Sequence, residues 1–252
     1  MKRFLPLLLA PWLMIITAAA EPGAPSARDS HPLRITQTSP VPFPRALLHQ
    51  GLREGEAAVV FSIDADGTLL DSMAIRYSQP EFATAALAAM RRWSFEAARI
   101  DGEAVPSRGQ IELRFSSEGL VVINDVHDIN AKFISQISHR NGASRLATPG
   151  ELDTWPTPRE AASPPLPESV RQQAISGTAT IDFFIDESGR VRMPAIAGAD
   201  DPALGVAAVD AVASWTFDPP TREGQPVKVR VKQPFHFRPG DGADAAPPPA
   251  RP

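Results

Sequence analysis

The chain has 252 residues, 43% of them hydrophobic, with 27 prolines, no cysteine and a formal net charge of −4 at pH 7. The lack of cysteine excludes disulfides, thiol nucleophiles and thiolate metal sites, and the acidic balance argues against a nucleic-acid partner. This length accommodates one large domain or two small ones.

Lys2 and Arg3 open the chain, Phe4 to Ile16 form an apolar run, and Ala18-Ala19-Ala20 offers a small-residue cleavage site before Glu21. That layout predicts a secretory signal peptide over residues 1–20. The alternative is a retained membrane anchor. Against it, the run is shorter than the ~20 apolar residues of a spanning helix, and Pro6 and Pro11 interrupt it. Cleavage would remove Lys2 and Arg3 and leave a formal charge of −6. No other apolar stretch approaches spanning length, so a soluble exported protein is expected. Residues 21–39 read as a disordered linker.

From Pro40 onward, two segments superpose at a constant offset of 122 residues. Gly55 meets Gly177, Phe61 meets Phe183, Asp64 meets Asp186, Trp93 meets Trp215 and Phe115 meets Phe237. A fixed offset held over some sixty residues marks one structural unit used twice. The copies are expected at 40–116 and 162–238, each led in by prolines (Pro40, Pro42 and Pro44; Pro156, Pro158, Pro164, Pro165 and Pro167), which stiffen extended segments.

In each copy a short helix comes first, Arg45 to Leu52 and Glu168 to Ala174, with Gly55 and Gly177 read as helix-ending glycines. Val59, Phe61 and Ile63 then alternate with other residues, as do Ala179, Ile181, Phe183 and Ile185, predicting a strand with one buried face. Asp64-Ala65-Asp66-Gly67 and Asp186-Glu187-Ser188-Gly189 predict tight turns into a returning strand. Ser78 and Glu81 have capping-box spacing with Pro80 in the first turn; in the second copy Asp200 or Asp201 caps and Pro202 comes next. Phe82, Ala86, Ala89 and Trp93 share one helical face, repeated by Leu204, Ala208, Ala211 and Trp215. Turns at Asp101-Gly102 and Glu223-Gly224 lead into the last strands. The predicted class is α+β: two tandem two-layer modules, each a three-stranded antiparallel sheet packed against two helices.

Between the copies, 117–161 reads as a linker. Leu120 to Ile123 could extend the preceding strand. Val126, Ile129, Phe133 and Ile137 are spaced like one face of a short helix, expected to pack between the modules. Residues 239–252, rich in alanine and proline, read as a disordered tail.

Few residues suggest chemistry. Asp64, Asp66, Asp186 and Glu187 lack the further oxygen ligands of a calcium loop and read as turn residues. His31, His49, His127, His139 and His236 share no metal-ligand spacing, and there is no nucleophile elbow, phosphate-binding glycine loop or His-Glu-x-x-His. Trp93 and Trp215 read as core. The expectation is a non-enzymatic protein with no cofactor and no metal.

What remains is a pairing surface. Val227, Val229 and Val231 alternate with Lys228, Arg230 and Lys232, with Gln233 and Pro234 next in the chain. This predicts an edge strand with an apolar and a basic face. It could accept an extended peptide, or it could be an ordinary edge guarded by charge. In the first copy the matching stretch contains Pro106 and Gly109, which weakens it as a template.

The two copies resemble the C-terminal domain of the TonB family. The resemblance rests on Phe43-Pro44 and Leu166-Pro167, on Gly55 and Gly177, and on the strand with its Asp-x-x-Gly turn. It continues through the alanine-rich helix ending in Trp-x-Phe (Trp93 and Phe95; Trp215 and Phe217), the Gly-x-x-Val step (Gly102 and Val105; Gly224 and Val227) and the aromatic-terminated last strand. It implies a periplasmic domain that binds a short segment of an outer-membrane receptor by strand addition. Its docking edge would be Val227, Lys228, Val229, Arg230, Val231, Lys232 and Gln233, with Arg108 to Phe115 as the weaker equivalent. The long proline-rich spacer and the Gln-Pro before the aromatic-Pro of well-known members are missing, and a cleavable signal is expected in place of the anchor.

The function expected from this resemblance is that of a soluble periplasmic adaptor recognising a segment of an envelope or outer-membrane protein, which could link it to TonB-dependent transport. Two alternatives stay open. One is an anchored energy transducer, which would add membrane-motor components as partners; the other is a structural tandem with no free edge.

Overall fold

The computed structural model describes residues 30–128, 146–165, 168, 176–238 and 244–245. The expected signal segment 1–20, most of the expected helix 168–174, and Ile129, Phe133 and Ile137 of the expected linker helix lie outside the described residues. Among the described residues, no helix is long and apolar enough to cross a membrane.

The first module comprises β1 (Arg34–Gln37), α1 (Arg45–His49), β2 (Glu54–Ile63), β3 (Leu69–Tyr77), α2 (Pro80–Met90), β4 (Ser94–Glu96), β5 (Ala98–Ile100), β6 (Glu103–Val105), β7 (Ser107–Ser116) and β8 (Gly119–Asp128). Its main sheet runs β3-β2-β7-β8, antiparallel throughout. The second comprises β9 (Leu146–Ala147), a 3-10 turn at Pro149–Glu151, β10 (Pro158–Glu160), β11 (Gly177–Ile185), β12 (Val191–Ala199), α3 (Pro202–Ala213), β13 (Thr216–Phe217), β14 (Thr221–Arg222), β15 (Gln225–Pro226), β16 (Lys228–Phe237) and β17 (Asp244–Ala245). Its sheet runs β12-β11-β16-β17, with β9 also paired to β16. The α+β class and the three-stranded core under a helix hold in both copies. Each copy also carries strands beyond its last core strand.

Several local expectations change. Within 21–39, β1 pairs antiparallel with β4, and Leu33 is buried in the first core. The alternation of Leu33 and Ile35 gives this segment an apolar face to bury. In the expected tail, Asp244–Ala245 form a two-residue strand. Val126 lies in β8, where a helix face was expected. α1 ends at His49, and its left-handed glycine is Gly51 (φ 82°), not Gly55. Gly55 lies inside β2, where a Cβ would sit 2.0 Å from the Phe82 ring, so the position serves close packing. Ser78 does not cap α2. Its hydroxyl accepts the Glu56 N–H at 3.0 Å, and Asp200 does the same job for the Thr178 N–H at 2.7 Å. Asp201 is the true cap of α3, accepting the Ala203 N–H at 2.8 Å.

The hairpin turns are alike in both copies. Asp64 Oδ1 accepts the Asp66 and Thr68 N–H groups, and Asp186 Oδ1 accepts those of Ser188 and Arg190. Gly67 and Gly189 complete these turns at φ 84° and 82°. A Cβ there would lie 2.3 Å from the Phe95 carbonyl oxygen and 2.0 Å from that of Phe217. Both the backbone angle and the space therefore demand glycine.

The central strands are buried on two faces, where alternation predicted one. Ala57, Val59, Phe61 and Ile63 of β2 pack with Phe82, Ala86, Ala89, Met90 and Trp93. Ala179, Ile181, Phe183 and Ile185 of β11 pack in the same way with Leu204, Ala208, Val212 and Trp215. The opposite faces meet each other: Ala58, Val60, Met73 and Ile75 of the first sheet pack with Phe184 and Met193 of the second, together with Leu146. The layers therefore run helix, sheet, sheet, helix. The hydrophobic effect drives this junction, since each buried Phe, Met or Ile contributes roughly 1.5–3 kcal/mol.

Polar groups set the register of the junction. Arg108 of β7 is 7% exposed, and its Nη1 donates to the carbonyl oxygens of Asp182 (3.1 Å) and Met193 (2.9 Å). Its Nη2 meets Asp182 Oδ2 at 3.3 Å, and Asp182 is 1% exposed. Met193 adopts φ 50° at a bulge in β12, where its carbonyl accepts from this arginine of the other module. At the rim, Arg192 Nε donates to Asp71 Oδ2 at 2.8 Å, and this bond holds the guanidinium pKa above its usual range.

Three substitutions probe these contacts. Gly189→Ala should lose more than about 2 kcal/mol in denaturant unfolding, through left-handed strain plus the contact with Phe217. Asp182→Ala strips two arginines of their shared carboxylate and should cost about 3–5 kcal/mol by the same measurement. The third concerns Asp186. Burial pushes its carboxyl pKa up, but the Ser188 hydroxyl, the Arg190 and Ser188 N–H groups and the Arg192 charge together bring it below its ordinary value. A depressed folded pKa contributes stability above the unfolded pKa, and that contribution is lost as pH falls through the folded value. Thermal melts should therefore show Asp186→Asn less stable than wild type at pH 6, with the gap closing towards pH 2.

Candidate functional site

The last core strand of the second module, β16, is the candidate. Its register against β11 runs unbroken from Val229↔Ile185 to Phe237↔Gly177. Val229, Val231, Gln233, Phe235 and Phe237 are buried, and the four apolar ones belong to the helix-side core. Lys228, Arg230, Lys232, Pro234 and His236 point to the other face, as the alternation requires.

The basic face is largely committed to partners within the chain. Lys228 Nζ is paired closely with Glu187. Arg230 Nε donates to Asp182 Oδ1 at 2.7 Å, and its Nη2 also pairs closely with the same carboxylate. Arg230 and Arg108 therefore grip one buried acid from two modules. Lys232 is the exposed basic residue among the three.

The outer side of β16 is also not bare. β9 pairs with it in parallel, Leu146 opposite Lys228 and Ala147 opposite Val229. β17 pairs with it antiparallel, Ala245 opposite Phe235 and Asp244 opposite His236. Of the seven residues expected along the edge, Val227 donates its N–H to the Pro220 carbonyl at 2.8 Å, and Lys228 and Val229 carry β9. Arg230 is bound to Asp182, and Gln233 is buried with its amide nitrogen donating to the Pro234 carbonyl at 3.0 Å. Val231 and Lys232, between the two short ladders, pair on this side with no described strand.

Proline orients this strand. N–H groups alternate sides along a strand, and Pro234 has none to give to the β11 ladder. Residues of its parity, Lys232 and His236 among them, therefore direct their N–H groups outward.

β9 is held by more than its two pairs. Leu146 and Ala147 are buried, and Thr148 and Glu151 form a capping box around the 3-10 turn. Asp153 then accepts the Glu223 and Gly224 N–H groups at 2.9 and 2.8 Å, at the β14–β15 hairpin whose central residues both have positive φ. The sequence signal for this anchor was Thr148-Pro149-Gly150-Glu151, a capping-box spacing directly after an apolar pair. In the first module the weaker equivalent, Arg108 to Phe115, lies in an inner strand, with β2 on one side and β8 on the other. Its pairing with β8 runs from Gly109↔Asp128 to Ser116↔Gly119.

Trp93 and Trp215 are buried, and their indole N–H groups donate to the Ser39 and Ala162 carbonyls at 3.1 and 2.9 Å. Each thus ties the strand leading into its module to the end of its helix.

The family model of the Gram-negative bacterial TonB protein C-terminal matches residues 39–117 and 162–239. The protein TonB of Vibrio cholerae serotype O1 (strain ATCC 39315 / El Tor Inaba N16961) is 28% identical over 76 residues, which are 30% of this chain and 31% of that relative's length. A solution NMR structure of the Pseudomonas aeruginosa TonB CTD is similar at 21% identity and a TM-score of 0.31, covering 39% of this chain and 98% of that one. With the two matched segments spanning most of the chain, it belongs to the Gram-negative bacterial TonB protein C-terminal family, carrying the domain twice.

Proposed function

We propose that the chain is a non-enzymatic periplasmic adaptor in TonB-type transport, recognising an extended segment of an envelope or outer-membrane protein by strand addition to β16. The observation that carries this is that the outer side of β16 accepts added strands in both directions, β9 in parallel and β17 antiparallel. Backbone N–H and C=O groups supply the affinity in such pairing, and the alternate side chains supply selectivity. The signal-like layout of residues 1–20 supports an exported location. Should that segment be retained instead, the protein would be an anchored transducer with membrane-motor partners; mass spectrometry of the mature N-terminus decides between the two.

The second reading is a structural tandem with no docking edge. It is favoured by β8, which pairs along nearly all of β7 in the first copy.

Lys232→Pro separates adaptor from tandem. Its N–H faces away from β11, so the substitution should leave the fold intact, with a melting temperature within a few degrees of wild type. In a pull-down from envelope extract, the adaptor reading expects Lys232→Pro to lose at least ten times its partner while Lys232→Ala keeps it. Equal capture by both variants would leave the structural tandem.

A further inference from the structure

We propose that the C-terminal strand β17 is a cis ligand of the docking strand: it occupies the Phe235–His236 end of β16 until an extended, acidic segment of the partner displaces it in the same antiparallel direction. This rests on β16 being the docking strand.

Among the described residues, the two segments on the outer side of β16 are held by different contacts. β9 is anchored by the buried Leu146 and Ala147, by the Thr148–Glu151 capping box and by Asp153 on the β14–β15 turn. A displacing partner would have to break all of these. β17 contributes a ladder of two residues, Asp244 and Ala245.

The sequence limits how far such a ladder could extend in this register. Continued in the same register, Ala246 would stand opposite Pro234, and Pro247, Pro248 and Pro249 opposite Gln233, Lys232 and Val231. Proline has no N–H to give, so this tail cannot zip along the stretch between the ladders. A partner segment without those prolines can. It would keep the pairing with His236 and add pairing at Lys232, whose N–H also faces outward, before meeting β9. A longer ladder in the same register outcompetes a shorter one, since each further hydrogen bond adds to its stability.

Charge gives the occupant its chemistry. The exposed cation on this part of β16 is Lys232. Opposite charges at directly facing positions of an antiparallel pair are favourable. The partner segment should therefore carry an acidic residue opposite Lys232.

The test compares the full chain, a chain ending at Arg238, and Asp244→Pro, which removes the tail's N–H without shortening it. Amide hydrogen exchange should show the His236 N–H protected in the full chain and exchanging at least ten times faster in both variants. The Phe235 N–H, which faces β11, should not change. A labelled peptide of residues 241–250 with threonine in place of Pro247 and Pro249, and glutamate in place of Pro248 opposite Lys232, serves as probe. It should bind the chain ending at Arg238 roughly tenfold more tightly than the full chain. Unchanged exchange at His236, or equal probe affinity for the two chains, would overturn the proposal. Neither result would touch the assignment of β16 as docking strand, which falls only if Lys232→Pro keeps its envelope partner.

Discussion

The carboxylate of Asp182 is the point on which the arrangement turns. It lies on β11, the central strand of the second sheet, on the face that meets the first module, and it is shared by Arg108 from that module and Arg230 from the candidate docking strand. Burying an ion there is expensive, and the cost is offset only because two guanidinium groups and their geometry are in place together. The apolar junction around Phe184 and Met193 supplies the attraction between the sheets, which is non-directional. The Asp182 triad supplies direction: it ties β7, β11 and β16 to one another, so the candidate edge is oriented relative to the whole molecule.

Duplication has left the two copies with the same internal devices and different outer edges. Gly67 and Gly189 pass under the carbonyls of Phe95 and Phe217 in the same way, and Ser78 and Asp200 each accept one strand N–H at the same place. The edges diverge where the chain leaves each last core strand. Beyond β7 it turns at once and pairs back as β8 over most of its length. Beyond β16 the described pairing is that of Asp244 and Ala245, and the sequence continues into Pro247, Pro248 and Pro249. The last core strand of the first copy is thus paired on both sides over most of its length, and that of the second is the candidate edge.

Much of this was legible from residue order. Alternation found β2 and β11, the Asp-x-x-Gly motif found the hairpins, and the helical stripe ending in tryptophan found α2 and α3. What misled were residues whose partners are remote in sequence. Gly55 has the spacing of a helix-ending glycine, yet it is required by the ring of Phe82. Ser78 and Glu81 have capping-box spacing, yet the Ser78 hydroxyl bonds the neighbouring strand. Ala58, Val60 and Phe184 are apolar at the positions that alternation assigns to solvent; those off-phase residues were the signal for a second buried face.

For the candidate site, Val227 to Gln233 was recognised by its alternating valines and basic residues, because a strand's period is local. Its occupancy was not, because Leu146 and Asp244 reach β16 from 82 residues before it and from beyond its C-terminal end. The amino-acid sequence alone determined the module, its duplication and the strand that ends each copy, since all of these depend on patterns within a few residues. Tertiary structure alone decided that the sheets pack back to back and that Lys228 and Arg230 of β16 pair with acids of the chain. It also decided which edge is covered: backbone pairing between strands is blind to residue identity, and register comes only from the packing that brings the strands together.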